Sequence, residues 1–212
     1  HFLENPGTLR IFAVEWSAVR CMEPGLKIER RYMNALIVGK GAIGSFLGEM
    51  LVREGWWASF LTSSESGCFH KRVKEADVVF INTCTVTDAA DSTCRNLIRK
   101  AHSSSPEAKI VVAGCYAQME PEKIAGMQGV DLVLGNSEKY KVFDYLDEES
   151  ANQIHVDRNW EFFSAATTEA DSHTRAFLKI QDGCNYICSF CIIPFARGRS
   201  RAITIENAVL EA

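Results

Sequence analysis

From Asn34 onward the chain alternates short apolar runs with helix-period segments, and that alternation limits the folds open to it more than any other feature. Ala35-Leu36-Ile37-Val38, Trp57–Leu61, Asp77–Asn82, Lys109–Ala113 and Val130–Leu134 read as five strands. Each run is strand-length, and polar or glycine-bearing sequence bounds it. Between the first two, Ala42–Glu54 places Ile43, Phe46, Leu47, Met50 and Leu51 on one helical face, with Gly55 just past its end. A second helix is expected from Asp88, read as its cap, through Ala101, with Leu97 and Ile98 on its apolar side. Pro121 opens a short helix, because proline suits a first helical position, and Ser137–Glu148 reads as another. Strands separated by helices predict an α/β domain: a doubly wound parallel sheet in the order 2-1-3-4, with helices on both faces. Functional loops then belong at the carboxyl ends of the strands.

The chain is longer than one such domain, since 212 residues correspond to about 1.4 domains of ordinary size. Residues 1–33 have no period and hold Pro6 and Pro24, so they read as an irregular extension. Residues 34–149 form the α/β domain. Residues 150–173, polar and rich in Ser, Ala and Thr, read as a linker. Residues 174–212 begin a second domain, with Ala176–Ile180 as its first strand and Thr204 capping a helix from Ile205. The first residue is His1, which predicts a fragment or a processed start. A composition of 47% hydrophobic and 24% charged residues excludes a disordered chain. No run of 18 apolar residues occurs, and no basic start precedes an apolar stretch, so neither a membrane span nor a secretory leader is expected. The net charge of −4 argues against a general nucleic-acid binder. Yet Thr174–Ala202 holds Arg175, Lys179, Arg197, Arg199 and Arg201 against Asp182 alone, which is either a local face for phosphates or a solvated loop.

Eight cysteines, Cys21, Cys68, Cys84, Cys94, Cys115, Cys184, Cys188 and Cys191, carry the chemistry. Disulfide frameworks suit small secreted chains short of core, which this is not, so clustered thiols point to metal or redox chemistry. Cys184-Asn185-Tyr186-Ile187-Cys188-Ser189-Phe190-Cys191 lets three thiolates converge from one loop. Soft thiolates favour iron–sulfur clusters or zinc. Structural zinc takes four closed ligands, and no fourth Cys or His lies nearby in sequence. Three cysteines on a [4Fe–4S] cluster leave one iron open to a substrate or cofactor.

That spacing just after a strand resembles the cluster loop of radical S-adenosylmethionine enzymes. Residues 175–184 and 192–201 extend the match to the methylthiotransferases, among which the chain is most similar to those acting on tRNA threonylcarbamoyladenosine. Ile81-Asn82-Thr83-Cys84-Thr85-Val86-Thr87, Ala113-Gly114-Cys115-Tyr116-Ala117-Gln118 and Val130–Asn136 agree with it, so the resemblance covers roughly residues 76–201. It implies the family's amino-terminal α/β domain, followed by the start of a truncated radical S-adenosylmethionine partial (β/α) barrel. It implies a [4Fe–4S] cluster on Cys184, Cys188 and Cys191 that binds S-adenosylmethionine, with one-electron cleavage to methionine and a 5′-deoxyadenosyl radical. Phe190 would lie against the adenine, or else pack in the core. Arg197, with Arg199 and Arg201, would meet a cofactor carboxylate or RNA phosphate, or else be surface charge. A second cluster would draw on Cys84 and Cys115 from loops after strands three and four, although isolated cysteines are more often inert and buried. The implied partners are tRNA and a flavodoxin- or ferredoxin-type electron donor, in the cytoplasm and without a membrane.

One departure matters. The third ligand of the second cluster should follow strand one, where Val38-Gly39-Lys40-Gly41-Ala42-Ile43-Gly44-Ser45 holds no cysteine. Gly39, Gly41 and Gly44 instead match a dinucleotide fingerprint, whose acidic partner would fall near Glu65. A nicotinamide-dependent reductase, a tight turn in a degenerate domain, and an amino-terminal segment from outside the family all remain open readings. Cys68, after strand two, is the only plausible substitute ligand, and Cys21 and Cys94 are expected to play no part in metal binding. The second cluster is therefore expected to be incomplete. Further alternatives are a methylthiotransferase acting on a ribosomal protein or another tRNA adenosine, and a non-catalytic iron–sulfur or zinc module.

Overall fold

Continuous apolar runs are what strands need when both faces of their sheet are covered. In the computed structural model, which describes residues 34–38, 57–61, 69–85, 87–146, 152–160, 162–163 and 178–211, the runs become strands in this way. β1 (Asn34–Val38), β2 (Trp57–Leu61), β3 (Val78–Thr83), β4 (Lys109–Gly114), β5 (Leu132–Leu134) and β6 (Gln153–His155) form one sheet in the order 2-1-3-4-5-6. Every adjacent pair is parallel. The expected order holds, and β6 adds an edge strand inside the segment expected to be a linker. Its three residues, Gln-Ile-His, leave Ile154 39% exposed, so no apolar run marked it.

Alternate residues of β1, β3, β4 and β5 feed two core layers. Leu36, Val38, Val79, Ile81, Ile110, Val112 and Val133 pack beneath Val73 of α1 (Phe69–Lys74), Cys94, Ile98 and Ala101 of α2 (Asp88–Ser104), and Ile124 and Ala125. Ala35, Ile37, Phe80, Val111, Ala113, Leu132 and Leu134 face the other way, against Val142, Phe143, Tyr145 and Leu146. Ile110, Val111 and Val112 lose all solvent contact, and each such side chain contributes roughly 1.5–3 kcal/mol.

Several helix expectations shift. Thr87 caps α2, its side chain accepting from Ala90 N at 3.2 Å, whereas Asp88 is the first helical residue. The negative charge of Asp88 there favours the positive helix end. Cys115–Met119 forms a short helix, α3, directly off β4, followed by α4 (Pro121–Ala125) with Pro121 in its first turn. The segment expected as one helix over Ser137–Glu148 splits into a 3-10 turn, Glu138–Lys141, and α5 (Phe143–Leu146). Lys139, Tyr140 and Val142 are all buried, and three positions so closely spaced do not share one α-helical face. The six-residue α1 was not foreseen.

In the carboxyl-terminal part, Leu178 makes an isolated bridge, and the ladder itself joins β7 (Gln181–Asp182) to β8 (Arg201–Ala202) antiparallel. Of the strand expected over Ala176–Ile180, Ala176 and Phe177 lie outside the described residues, and Lys179 and Ile180 belong to no strand. α6 (Ile193–Arg197) sits between these two strands. α7 (Ile205–Glu211) begins as expected, with Asn207 N donating to Thr204 Oγ1 at 3.3 Å. Residues 1–33, the Ala42–Glu54 helix and the glycine fingerprint lie outside the described residues, as do Cys21, Cys68 and Glu65.

Candidate functional site

Parallel pairing sets the first part of the site. Thr83 and Gly114 are the last paired residues of β3 and β4, so Cys84 and Cys115 leave the same end of adjacent strands. The Thr83 hydroxyl donates to Ala113 O at 2.6 Å and accepts from Ala117 N at 3.3 Å, tying the strand ends to the start of α3. Gly114 has φ +107, and a Cβ there would strike the carbonyl oxygen of Thr83. Only glycine turns the chain straight from strand into helix at this point. Cys115 thus opens a helix, whereas a loop was expected; it is buried, and Cys84 is exposed. Cys94, by contrast, belongs to the core: burial pushes its thiol up, and its Sγ donates to Cys84 O at 3.9 Å.

Donors converge on the Cys115 sulfur. Asn136 Nδ2 approaches it at 3.6 Å and also donates to Ala196 O at 2.7 Å. Arg197 Nε approaches at 3.4 Å from the far side of the cysteine triplet. Lys139, 4% exposed, donates from Nζ to Asn136 Oδ1 at 3.0 Å, and burial pushes its pKa down to about 8. With an ordinary value of 10.5 in the unfolded chain, Lys139 costs stability in full below pH 8, and the cost fades as pH rises toward 10.5. We expect Lys139→Met to be more stable at pH 7, by about 1–3 kcal/mol once the lost bond to Asn136 is counted. Urea unfolding at pH 7 and at pH 10 checks this, because the gap between variant and wild type must shrink at the higher pH.

The second part is the triplet. Gly183 precedes it at φ +74, where a Cβ would meet Arg199 O. Cys184 N donates to Gly198 O at 3.1 Å, and Cys191 N to Cys188 O at 3.0 Å. Asp182 anchors this base with Lys179 at 2.7 Å, Arg201 at 3.6 Å and Arg197 at 3.8 Å. Burial would raise the Asp182 carboxyl, but the bonds from Lys179 and Gly183 and the charge of Arg197 hold it below the ordinary range. Cys188 is exposed, and Cys184 and Cys191 are half-buried; all three are free thiols. Phe190 is 92% exposed beside exposed Tyr186 and Ile187, so it is no part of the core. Arg199 is exposed, while Arg201 donates to Arg197 O and Arg199 O.

The chain brings Arg197 to Cys115 and Asp182. Among the described residues, however, it gathers no three His, Cys, Asp or Glu side chains closely enough to hold a metal. Metal–sulfur bonds themselves supply such gathering, because separate thiols do not attract one another. The donor set fits a thiolate-held cluster. Three free thiols share one eight-residue loop. At Cys115 two N–H donors reach the sulfur, and such donors stabilise thiolate and cluster charge. Asn136, Lys139 and Asp182 were not foreseen as site residues. Gly135-Asn136 at a strand end was the one available hint, and nothing in sequence marks a buried lysine.

Residues 55–135 match the model described as uncharacterized protein family UPF0004. The chain is 40% identical over 143 residues to the threonylcarbamoyladenosine tRNA methylthiotransferase MtaB of Bacillus subtilis, covering 65% of this chain and 32% of that protein. It is 36% identical over 147 residues to the tRNA-2-methylthio-N(6)-dimethylallyladenosine synthase of Cereibacter sphaeroides, covering 66% and 34%. It is 34% identical over 148 residues to the ribosomal protein uS12 methylthiotransferase RimO of Trichodesmium erythraeum, covering 65% and 32%. The chain therefore spans about a third of the length of the curated relatives it matches. The UPF0004 match begins at Gly55, after the glycine fingerprint. No described helix is long and apolar enough to cross a membrane.

Proposed function

We propose that the chain is part of a cytoplasmic methylthiotransferase of the radical S-adenosylmethionine class, which places a methylthio group on N6-threonylcarbamoyladenosine of tRNA. The observation that carries this reading is the set of three free thiols in one eight-residue loop, in a chain 40% identical to a relative named for that reaction. Cys184, Cys188 and Cys191 hold a [4Fe–4S] cluster, and residues 174–212 open the radical domain. With S-adenosylmethionine bound, such a cluster would supply radical chemistry there, its electron coming from a donor of flavodoxin or ferredoxin type. Exposed Phe190 offers a flat apolar face to the adenine of the cofactor. Arg197 serves a cofactor carboxylate or RNA phosphate only by sharing its guanidinium with Cys115 and Asp182. Cys84 and Cys115 contribute to a second, weaker cluster, because no cysteine follows β1.

Anaerobic reconstitution tests the reading. The chain should turn brown with about four firmly held irons. Its reduced paramagnetic resonance spectrum should change on adding S-adenosylmethionine. Eight irons per chain, unchanged by Cys68→Ala, would refute the incomplete second cluster. A colourless zinc protein overturns the whole reading. Tight NADPH binding would instead favour the reductase suggested by Gly39, Gly41 and Gly44.

A further inference from the structure

Asn136 sits where the sheet, Cys115 and the segment beyond the triplet meet, and its side chain is fully used there. Its relative exposure is 9%. Both Nδ2 hydrogens are engaged, one on Ala196 O at 2.7 Å and one on Cys115 Sγ at 3.6 Å. Oδ1 accepts from Lys139 Nζ at 3.0 Å, and the backbone N donates to Gln118 Oε1 at 2.8 Å. Gln118 is held in turn, since its Nε2 donates to Asp157 O at 3.0 Å. A lysine ammonium can only donate, so Lys139 fixes which end of the carboxamide faces it, and the NH2 end must face Ala196 and Cys115. Ala196 O lies at the last turn of α6, one residue before Arg197, whose Nε reaches Cys115 at 3.4 Å. One buried amide therefore joins the α/β domain to the segment that follows the cysteine loop.

We propose that Asn136, oriented by Lys139, is a positioning residue that ties α6, and with it the Cys184–Cys191 loop, onto Cys115. The two cysteine sites are then held in one fixed relation by the carboxamide and by Arg197. Burying a polar network of this kind is costly unless every member is satisfied, and here each Asn136 side-chain donor and acceptor has a partner. The inference goes beyond the proposed activity and stands whether or not either site takes up iron.

The test uses the full apo chain under reducing conditions at one fixed pH. Iodoacetamide labelling read by mass spectrometry should find buried Cys115 slow and exposed Cys84 fast. Asn136→Asp keeps the size and the acceptor for Lys139 but replaces both donors. It should speed Cys115 labelling on the order of tenfold, the equivalent of one to two hydrogen bonds, and leave Cys84 unchanged. Amide exchange in α6 should rise while β4 stays protected. The Arg197 Nε–H resonance should move on Cys115→Ala and broaden on Asn136→Asp, which a general loss of stability would not single out. Lys139→Met, which frees the amide to turn, should give the same changes to a lesser degree, and it decides the matter alone if Asn136→Asp does not fold. Unchanged Cys115 labelling and an unmoved Arg197 resonance, with β4 protected, overturn the proposal.

Discussion

Cys188→Ala is expected to empty the triplet of iron while leaving the α/β domain as stable as before. Iron at this loop should fall from about four per chain toward none, because two thiolates cannot hold a [4Fe–4S] cluster whose fourth iron is already open. The spectral change on adding S-adenosylmethionine and any 5′-deoxyadenosine formed with dithionite should vanish together. Stability should barely move. Cys188 is exposed, and its backbone O accepts from Cys191 N, a bond that alanine retains. Cys94→Ala is the contrasting variant. Its thiol packs in the core, so it should lose about 1 kcal/mol of stability and no iron. A Cys188→Ala chain that keeps four irons bound to the loop would sink the ligand assignment.

Gly114→Ala should be strongly destabilising for a single added methyl group. Its φ of +107 and ψ of −162 lie where only glycine is at ease, a strain of about 1–3 kcal/mol for any other residue. The added Cβ would also strike Thr83 O, with Thr83 N and Asn82 Oδ1 each at 3.0 Å. These neighbours cannot retreat easily, because Thr83 is locked to Ala113 and Ala117. A total loss of about 3–5 kcal/mol is expected, read as a lower urea midpoint at unchanged slope. The same shift would carry Cys115 away from Arg197 and Asn136, so its labelling should quicken as well. A loss under about 1 kcal/mol would mean that the turn relaxes in a way the geometry does not allow.

How much of this was legible in sequence follows from the range over which each signal acts. Ile110-Val111-Val112 announces a strand buried on both faces by itself, since neighbouring residues alternate between the two faces. Gln153-Ile154-His155 announces nothing, because an edge strand three residues long needs no apolar pair of faces. The Thr87 cap was misplaced by one residue for a similar reason. Threonine and aspartate are both good caps, and only the path of the incoming chain selects between them.

The same division runs through the site. Spacing alone placed Cys184, Cys188 and Cys191 on one loop, and strand order alone placed Cys84 and Cys115 at one end of the sheet. The donors at Cys115 come from 21 and 82 residues away, and no periodicity reaches that far. The sequence by itself therefore determined the apolar strands β1–β5, the order 2-1-3-4 and the placing of the thiols after β3, after β4 and on one loop, all consequences of contacts between near neighbours. Tertiary packing alone decided that Lys139 would be buried, that Asn136 would be turned by it, and that Arg197 would face a cysteine across the molecule. Those outcomes depend on which distant polar groups must find partners once the core has closed around them.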